Sequence, residues 1–297
     1  MTTTALPRRP VGELLRRWRE QRRISQLDLA IQADISARHL SFLETGRSNP
    51  SREMVLRLAE QLRLPLRERN RLLLAAGYAP VYPESTLDAP AMAAVRGALR
   101  QVLTGHDPYP ALVVDGHWNL VDANASLSLF TGLVDPSLLA APVNVLRAGL
   151  HPRGLAPHIV NLGEWRGHLL ARLRRQIAFT ADAGLEALEE ELRSYPCEQP
   201  EPHVDLPGPG EIAVPLRLRY EGRELAFLST IATFGTPLDV TLAELAIESF
   251  LPADRRTAEI LTAAGQGRSA PPAGADQASA GTPPRQPAGT AAPSPDG

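Results

Sequence analysis

Hydrophobic residues recur at helical spacing through the first quarter of the chain and at strand spacing in two later stretches, with polar and proline-rich gaps between them. Val11, Leu14, Leu15 and Trp18 place one apolar stripe on a first helix. Ser25 caps a second helix, with Asp28 three residues on as a variant of the capping box and Leu29, Ala30 and Ala33 as the stripe. Ser36 caps a third. Ile35, just before that cap, is placed to staple onto Leu40, and Gly46 supplies the left-handed residue that ends the helix. Ser51 caps a fourth, with the stripe Met54, Val55, Leu58 and Leu62. Pro65 breaks the chain, and Leu66 to Ala76 make a fifth helix ended by Gly77.

After a stretch carrying Pro80, Pro83 and Pro90, which reads as a hinge or linker, Met92 to Leu103 is helical again. ALVVD (111–115) and WNLVDAN (118–124) flank the turn-prone pair Gly116-His117 and predict a hairpin followed by a helix. Residues 159–194 are mostly helical, with Leu162, Trp165, Leu169 and Leu173 as a stripe, and Pro196 to Pro209 form a proline-rich loop. EIAVPLRLRY (211–220) and RELAFLSTIATF (223–234) flank Glu221-Gly222 as a second hairpin, and Leu242 to Phe250 are expected to form a short helix. This order predicts an all-α domain of five helices over 10–78 and a linker with a connecting helix over 79–105. A two-layer α+β domain with a mainly antiparallel sheet follows over 106–263. Residues 1–9 and 264–297 are expected to be disordered. The 34 residues of the tail include 7 Pro, 6 Gly and 9 Ala, with no aromatic or branched aliphatic side chain to bury.

Charge divides the chain at the same place as the pattern. Residues 1–80 hold 15 Arg against 8 acidic residues, a balance of +7, while the remainder stands at -9 within a total of -2. Every basic residue is Arg. The basic block is expected to meet a polyanion; a solvated Arg-rich helix surface is the alternative. There is no apolar run of membrane-spanning length and no signal peptide at the start, so a cytoplasmic protein without membrane attachment is expected. Cys197 is the only cysteine, which excludes an internal disulfide and a Cys-based zinc site.

The second and third helices are joined by only a few residues around Asp34-Ile35, which makes a helix-turn-helix. In such a unit the second helix enters the major groove N-terminus first. Ala37, Arg38, Ser41 and Phe42 then share its outward face by their i and i+4 spacing. The stretch from Val11 to Ala76 resembles the lambda-repressor/Cro-like, or xenobiotic-response-element (XRE), helix-turn-helix family. The resemblance is carried by Ser25-Gln26, Leu29-Ala30, Ser36, Leu40-Ser41, Leu43-Glu44, Gly46-Arg47 and Pro50-Ser51. It implies binding to double-stranded operator DNA. It gives Gln26 a contact to the DNA backbone or a base, lets Ala37 and Arg38 read bases with Phe42 one turn later, and sets Arg47 on a phosphate; Ser36 and Ser41 complete the DNA-facing set. Arg38 suits a guanine, whose O6 and N7 an Arg can bond together. Phe42 reads either as a contact to a thymine methyl or as a partly buried helix residue. Arg19 and Glu44 match a structural pair of the family. A homodimer is expected, because such domains bind two half-sites about one helical turn apart.

The second domain resembles the ligand-binding domain of MmyB-like regulators, a PAS-like α+β domain. The carrying residues are Tyr109-Pro110-Ala111, HWNLVDAN (117–124) and GTPLDVTLAELAIESFLPAD (235–254). The resemblance implies a sensor that holds a fatty acid or another apolar or amphiphilic ligand in a cavity between sheet and helices. Arg166, Arg172, Arg217 and Arg219 are available for an acidic head group, and nothing in the sequence selects one. Catalysis is not expected, nor is a cofactor or metal. His117, His151, His158, His168 and His203 lack metal-site spacing, Cys197 has no base near it in sequence, and neither a GxSxG elbow nor a phosphate-binding glycine loop occurs. The alternative for the second domain is a protein-interaction module without a small-molecule ligand. An antitoxin with a vestigial helix-turn-helix fits poorly with so large a second domain.

Overall fold

The computed structural model describes residues 11–200 and 213–269. Five helices form the N-terminal bundle: α1 (Val11–Gln21), α2 (Gln26–Gln32), α3 (Ala37–Glu44), α4 (Arg52–Gln61) and α5 (Leu66–Ala75). Ser25, Ser36 and Ser51 cap α2, α3 and α4. Each hydroxyl accepts a hydrogen bond from the backbone N–H three residues on, at Asp28, His39 and Met54. The stripes read from the sequence meet in one core in which Leu15, Leu29, Leu40, Leu43, Leu58 and Leu72 are fully buried.

The turn between α2 and α3 is closed by the N–H of Ile35 bonding the carbonyl of Ala30 at 2.9 Å. It passes through Asp34 at a φ of 51°, a left-handed conformation that costs a residue with a Cβ about 1–2 kcal/mol. Asp34→Gly is therefore expected to raise the stability of the bundle by up to about 1 kcal/mol, read as a shift in the urea midpoint. A fall in the midpoint would show that the Asp34 side chain itself stabilises the turn.

The proline-bearing stretch after α5 is pinned to both domains, where the sequence reads as a hinge or linker. Asn70 Oδ1 accepts from the N–H groups of Val81 and Tyr82. Farther on, the carbonyl of Pro83 accepts from the N–H of Val240, and the N–H of Ser85 donates to Asp239 Oδ2 at 3.0 Å.

Helix α6 (Ala93–Gly105) then leads into an antiparallel sheet of β1 (Ala111–Val114), β2 (Leu120–Ala123), β3 (Leu216–Tyr220), β4 (Arg223–Thr233) and β5 (Ala246–Pro252). The spatial order is β2-β1-β5-β4-β3. Helices α7 (Ser128–Thr131), α8 (Val145–Leu150), α9 (Leu162–Thr180) and α10 (Ala183–Ser194) lie between β2 and β3, α11 (Val240–Glu244) lies between β4 and β5, and α12 (Arg255–Ser269) follows β5. Alternate residues of β1 enter different cores. Leu112 and Val114 join Trp165, Leu169, Phe227 and Phe250 on one side; Ala111 and Val113 join Leu99, Leu103 and Ile247 on the other. Asn124 fastens the end of β2 to the start of β1: its Oδ1 accepts from the N–H of Ala111, and its Nδ2 donates to the carbonyls of Tyr109 and Leu103. The β3–β4 hairpin turns at Glu221 and Gly222, both at positive φ, the conformation of a type I′ turn.

Residues 159–194 are mostly helical as expected, in two helices parted where Ala181 adopts a φ of 52° and Asp182 caps α10. Three expectations are corrected. Leu242 to Phe250 is the end of α11 followed by β5, the central strand, and not a helix. Trp118 lies in a turn at a φ of 66° and not in the strand, which begins at Leu120. Residues 264–269 belong to α12, against their expected disorder; the rest of the tail, residues 1–9 and most of the 196–209 loop lie outside the described residues.

Candidate nucleic-acid interface and ligand cavity

Helix α3 is held from behind by α1. A Cβ built on Gly12 would stand 2.3 Å from the carbonyl oxygen of Leu43 and 2.7 Å from that of Glu44, so only glycine lets the two backbones approach this closely. Next to that contact, Arg19 Nε and Nη2 donate to the two oxygens of Glu44 at 2.7 and 2.9 Å, with the Glu44 side chain 1% exposed. The bond to Glu44 raises the pKa of Arg19 above its ordinary value. Gln26 joins the same carboxylate: its Nε2 donates to Glu44 Oε2 at 2.7 Å. The Gln26 amide nitrogen is thus engaged within the bundle.

The other face of α3 carries Arg38, exposed, with Ser41 and Phe42 half-buried; Ala37 is half-buried and packs partly on the helical core. Ser36 is exposed, with its oxygen committed to the cap. Phe42 is a platform. The guanidinium carbons of Arg38 and Arg47 lie 5.4 and 5.8 Å from its ring centroid, and the N–H of Arg47 donates to the carbonyl of Phe42 at 2.8 Å. Sequence reading placed these three residues on one surface without finding that the ring organises the two charges.

Beneath the sheet of the second domain lies a cavity of about 80 Å³. Its walls are Leu112, Leu120, Phe130, Val145, Leu169 and Phe250 among other apolar side chains, and among the described residues its only charged lining side chains are Arg172 and Glu248. Arg172 Nη1 donates to Glu248 Oε1 at 3.0 Å, and the Ser229 hydroxyl donates to the same oxygen at 2.6 Å. The Arg172 guanidinium lies 4.3 Å from the centroid of the Trp118 ring, whose Nε1 donates to Gln176 Oε1. This explains the left-handed backbone at Trp118: it brings the indole under the arginine. Of the other arginines available for a head group, Arg166 donates to the carbonyls of Arg193 and Tyr195, Arg217 pairs with Glu224, and Arg219 is exposed. Of the histidines, His168 stacks on Trp165, and burial, with Arg172 and Arg175 acting the same way, holds its pKa below the ordinary value. His117 faces Asp182 at 3.2 Å, and His203 lies outside the described residues. Among the described residues no group of three His, Cys, Asp or Glu is placed to hold a metal ion, and no helix is long and apolar enough to cross a membrane.

A second, larger cavity of about 490 Å³ separates the domains. Leu66, Arg67 and Glu68 of α5 form one wall, and Trp118, Arg172, Gln176 and Glu244 stand on the other. Beside it the domains are joined through arginines. Arg67 Nε and Nη2 donate to Glu244 at 2.7 and 2.8 Å. Arg22, sandwiched between the rings of Trp18 and Phe179, donates at 2.8 Å to the carbonyls of Ala178 and Phe179 at the end of α9. Burial pushes the pKa of Arg22 down.

Two family models match the chain. The MmyB-like transcription regulator ligand binding domain matches residues 95–264, and a helix-turn-helix domain matches residues 10–72. No protein of curated function matches. One solved structure, described as that of an RNA-binding light-oxygen-voltage receptor, aligns over 87% of this chain at 15% identity with a TM-score of 0.25. The chain spans 64% of that receptor's length.

Proposed function

That the chain belongs to the family of regulators with an MmyB-like ligand-binding domain is the premise from which we propose its function. It is a DNA-binding transcription regulator, and its second domain senses an apolar or amphiphilic small molecule of the fatty-acid type. The observation that carries this reading is the match of residues 95–264 to a ligand-binding domain, and a small apolar cavity between sheet and helices supports it. Occupancy alters DNA affinity, because the helix that lines the cavity, α9, ends on Arg22 of the first domain. In this reading Arg38 and Phe42 meet base edges with Ala37 and Ser41 beside them, while Arg47, Gln26 and Ser36 hold the backbone. Two copies bind two half-sites, as helix-turn-helix dimers do.

Fatty acids of graded chain length are expected to raise the melting temperature of the full chain, since a ligand that binds only the folded state stabilises it. The same compounds are expected to change its affinity for operator DNA, since regulation requires unequal affinity for two conformations. A chain whose melting is unmoved by any amphiphile, and whose DNA affinity is unaltered by them, would leave the second domain as a packing domain or a protein-interaction surface.

A further inference from the structure

A strand at the edge of a sheet presents a row of unpaired N–H and C=O groups, and folded proteins cover or blunt such rows because they invite another strand. Both end strands of this sheet are covered. Along β2, the N–H of Leu120 donates to the carbonyl of Val143, and Asn119 bridges to Asn144. Along β3, the N–H of Val160 donates to the carbonyl of Arg217, and Ile159 bridges to Leu218. The exception is the second half of β4. Its ladder with β5 is continuous from Phe227 to Thr233, but β3 accompanies it only as far as Phe227, which lies opposite Leu216. Pro215 has no N–H to extend that ladder, and Ala213 and Val214 belong to no strand.

The direction of the free groups follows from the register. Tyr220 and Arg223 flank the two-residue turn at Glu221-Gly222 and exchange hydrogen bonds, so odd-numbered residues of β4 turn their backbone groups toward β3 and even-numbered ones toward β5. The carbonyl of Ala226 agrees, since it accepts from the N–H of Ala253 just past β5. Ser229, Ile231 and Thr233 therefore aim their N–H and C=O groups to the side that β3 has left, and among the described residues no strand or bridge stands there. The stretch from Leu228 to Thr233 carries no charge, no proline and no bulge, and Ile231 is 41% exposed. None of the devices that blunt an edge is present.

We infer that this free edge of β4 is the contact between two copies of the chain, the strand pairing antiparallel with itself about a two-fold axis at Ile231. The inference rests on the reading that two copies bind two half-sites and names the surface that joins them. Three features select a second copy as the occupant. An antiparallel strand is complementary to itself under a two-fold rotation, the symmetry that paired half-sites ask for. With Ile231 on the axis, Ser229 lies opposite the partner's Thr233 and Thr230 opposite the partner's Ala232, so no charge meets its like. The length also fits. Beyond residue 234 a partner strand would run into Leu216, which holds the place beside Phe227; β4 ends at Thr233 and the chain bends at Gly235. The pairs 229 with 233, 231 with 231 and 233 with 229 join the two five-stranded sheets edge to edge.

Sedimentation equilibrium of the full chain reads the association, and a dimer is expected. Ile231→Lys and Ile231→Glu each set like charges face to face on the axis, and each is expected to weaken dimerisation roughly ten- to a hundred-fold. An equal mixture of the two variants is expected to dimerise about as well as the unaltered chain, which also shows that neither has lost its fold. Oxidation in a Cys197→Ser background reads the register. Ile231→Cys places two thiols on facing residues about 5.5 Å apart at Cα, within disulfide reach, and is expected to give a covalent dimer. Thr233→Cys places them about 13 Å apart along the strands and is expected to give none. A chain that is monomeric at every concentration, free and on DNA, would overturn the inference and the half-site reading together, and leave the edge to a segment of another protein. A dimer unmoved by Ile231→Lys would overturn the inference alone, since the copies would meet through another surface. Failure of the mixture to restore association, or cross-linking by Thr233→Cys and not by Ile231→Cys, would overturn the axis at Ile231.

Discussion

Replacing Glu44 by Ala is expected to destabilise the N-terminal bundle by about 3–5 kcal/mol, the cost of breaking a buried ion pair from one side. The magnitude follows from what is left behind. Arg19 keeps only 10% of its side chain exposed and loses both acceptors of its bidentate edge, and Gln26 loses the acceptor for its amide nitrogen. The guanidinium retains the Ile24 carbonyl and cannot shed its charge. Glu44→Gln keeps the shape and one acceptor oxygen, so it is expected to cost less. Removing both charges together, with Arg19→Met and Glu44→Leu, is expected to recover much of the loss, because a well-packed apolar pair can match a buried ionic one. Urea unfolding of the full chain, followed by the loss of helical circular dichroism, reads all three. Unchanged unfolding of Glu44→Ala with abolished DNA binding would place Glu44 at the DNA surface and not in the frame that holds α3.

Those residues were legible because each helix of the bundle signals locally. A serine cap, a stripe at 3.6-residue spacing and a glycine or proline at the end lie within about a dozen residues of one another, and so the sequence names the helices without knowing what they pack against. The two hairpins were legible for the same reason, since a turn and two short apolar runs are local. What failed was non-local. In β5 the run Ile247-Glu248-Ser249-Phe250 shows no clean alternation, because both faces are buried and its polar residues find partners inside the protein: Glu248 meets Arg172 and Ser229. A strand paired on both sides need not carry a polar face. With an acidic residue amid aliphatic ones it resembles a helix. Gly12 gave no signal either. It sits inside a helical stripe, and its need for glycine comes from the backbone of α3, some thirty residues away. Arg172 could be named only as one arginine among four, since what distinguishes it, burial beside Glu248 and under the Trp118 ring, is a property of the folded surroundings. Trp118 at positive φ is the nearest thing to a missed clue: an aromatic residue directly after Gly116-His117 extends the turn and sets the indole against that arginine.

Arg38→Ala and Arg47→Ala are expected to weaken DNA binding in different ways, although both arginines rest on the same ring. Arg38 is the second residue of α3, in the first turn, where a helix in the major groove touches base edges. Its loss is expected to cost roughly 1–3 kcal/mol on the preferred site and to relax the base preference there. Arg47 follows the end of α3, past Gly46, where the proposed docking sets the chain against the phosphates. Its loss is expected to weaken preferred and random duplexes alike and to lower the slope of log affinity against log salt by about 0.9, one released counterion. Phe42→Ala removes the platform from both charges while deleting neither, so it is expected to reduce affinity on both kinds of duplex with little change in the salt slope. Titrating labelled duplexes with the full chain at several salt concentrations separates the three. If Arg38→Ala weakened random and preferred duplexes by the same factor, Arg38 would be a second phosphate contact, and the base-reading role would pass to the neighbours on its face, Ser41 and Phe42.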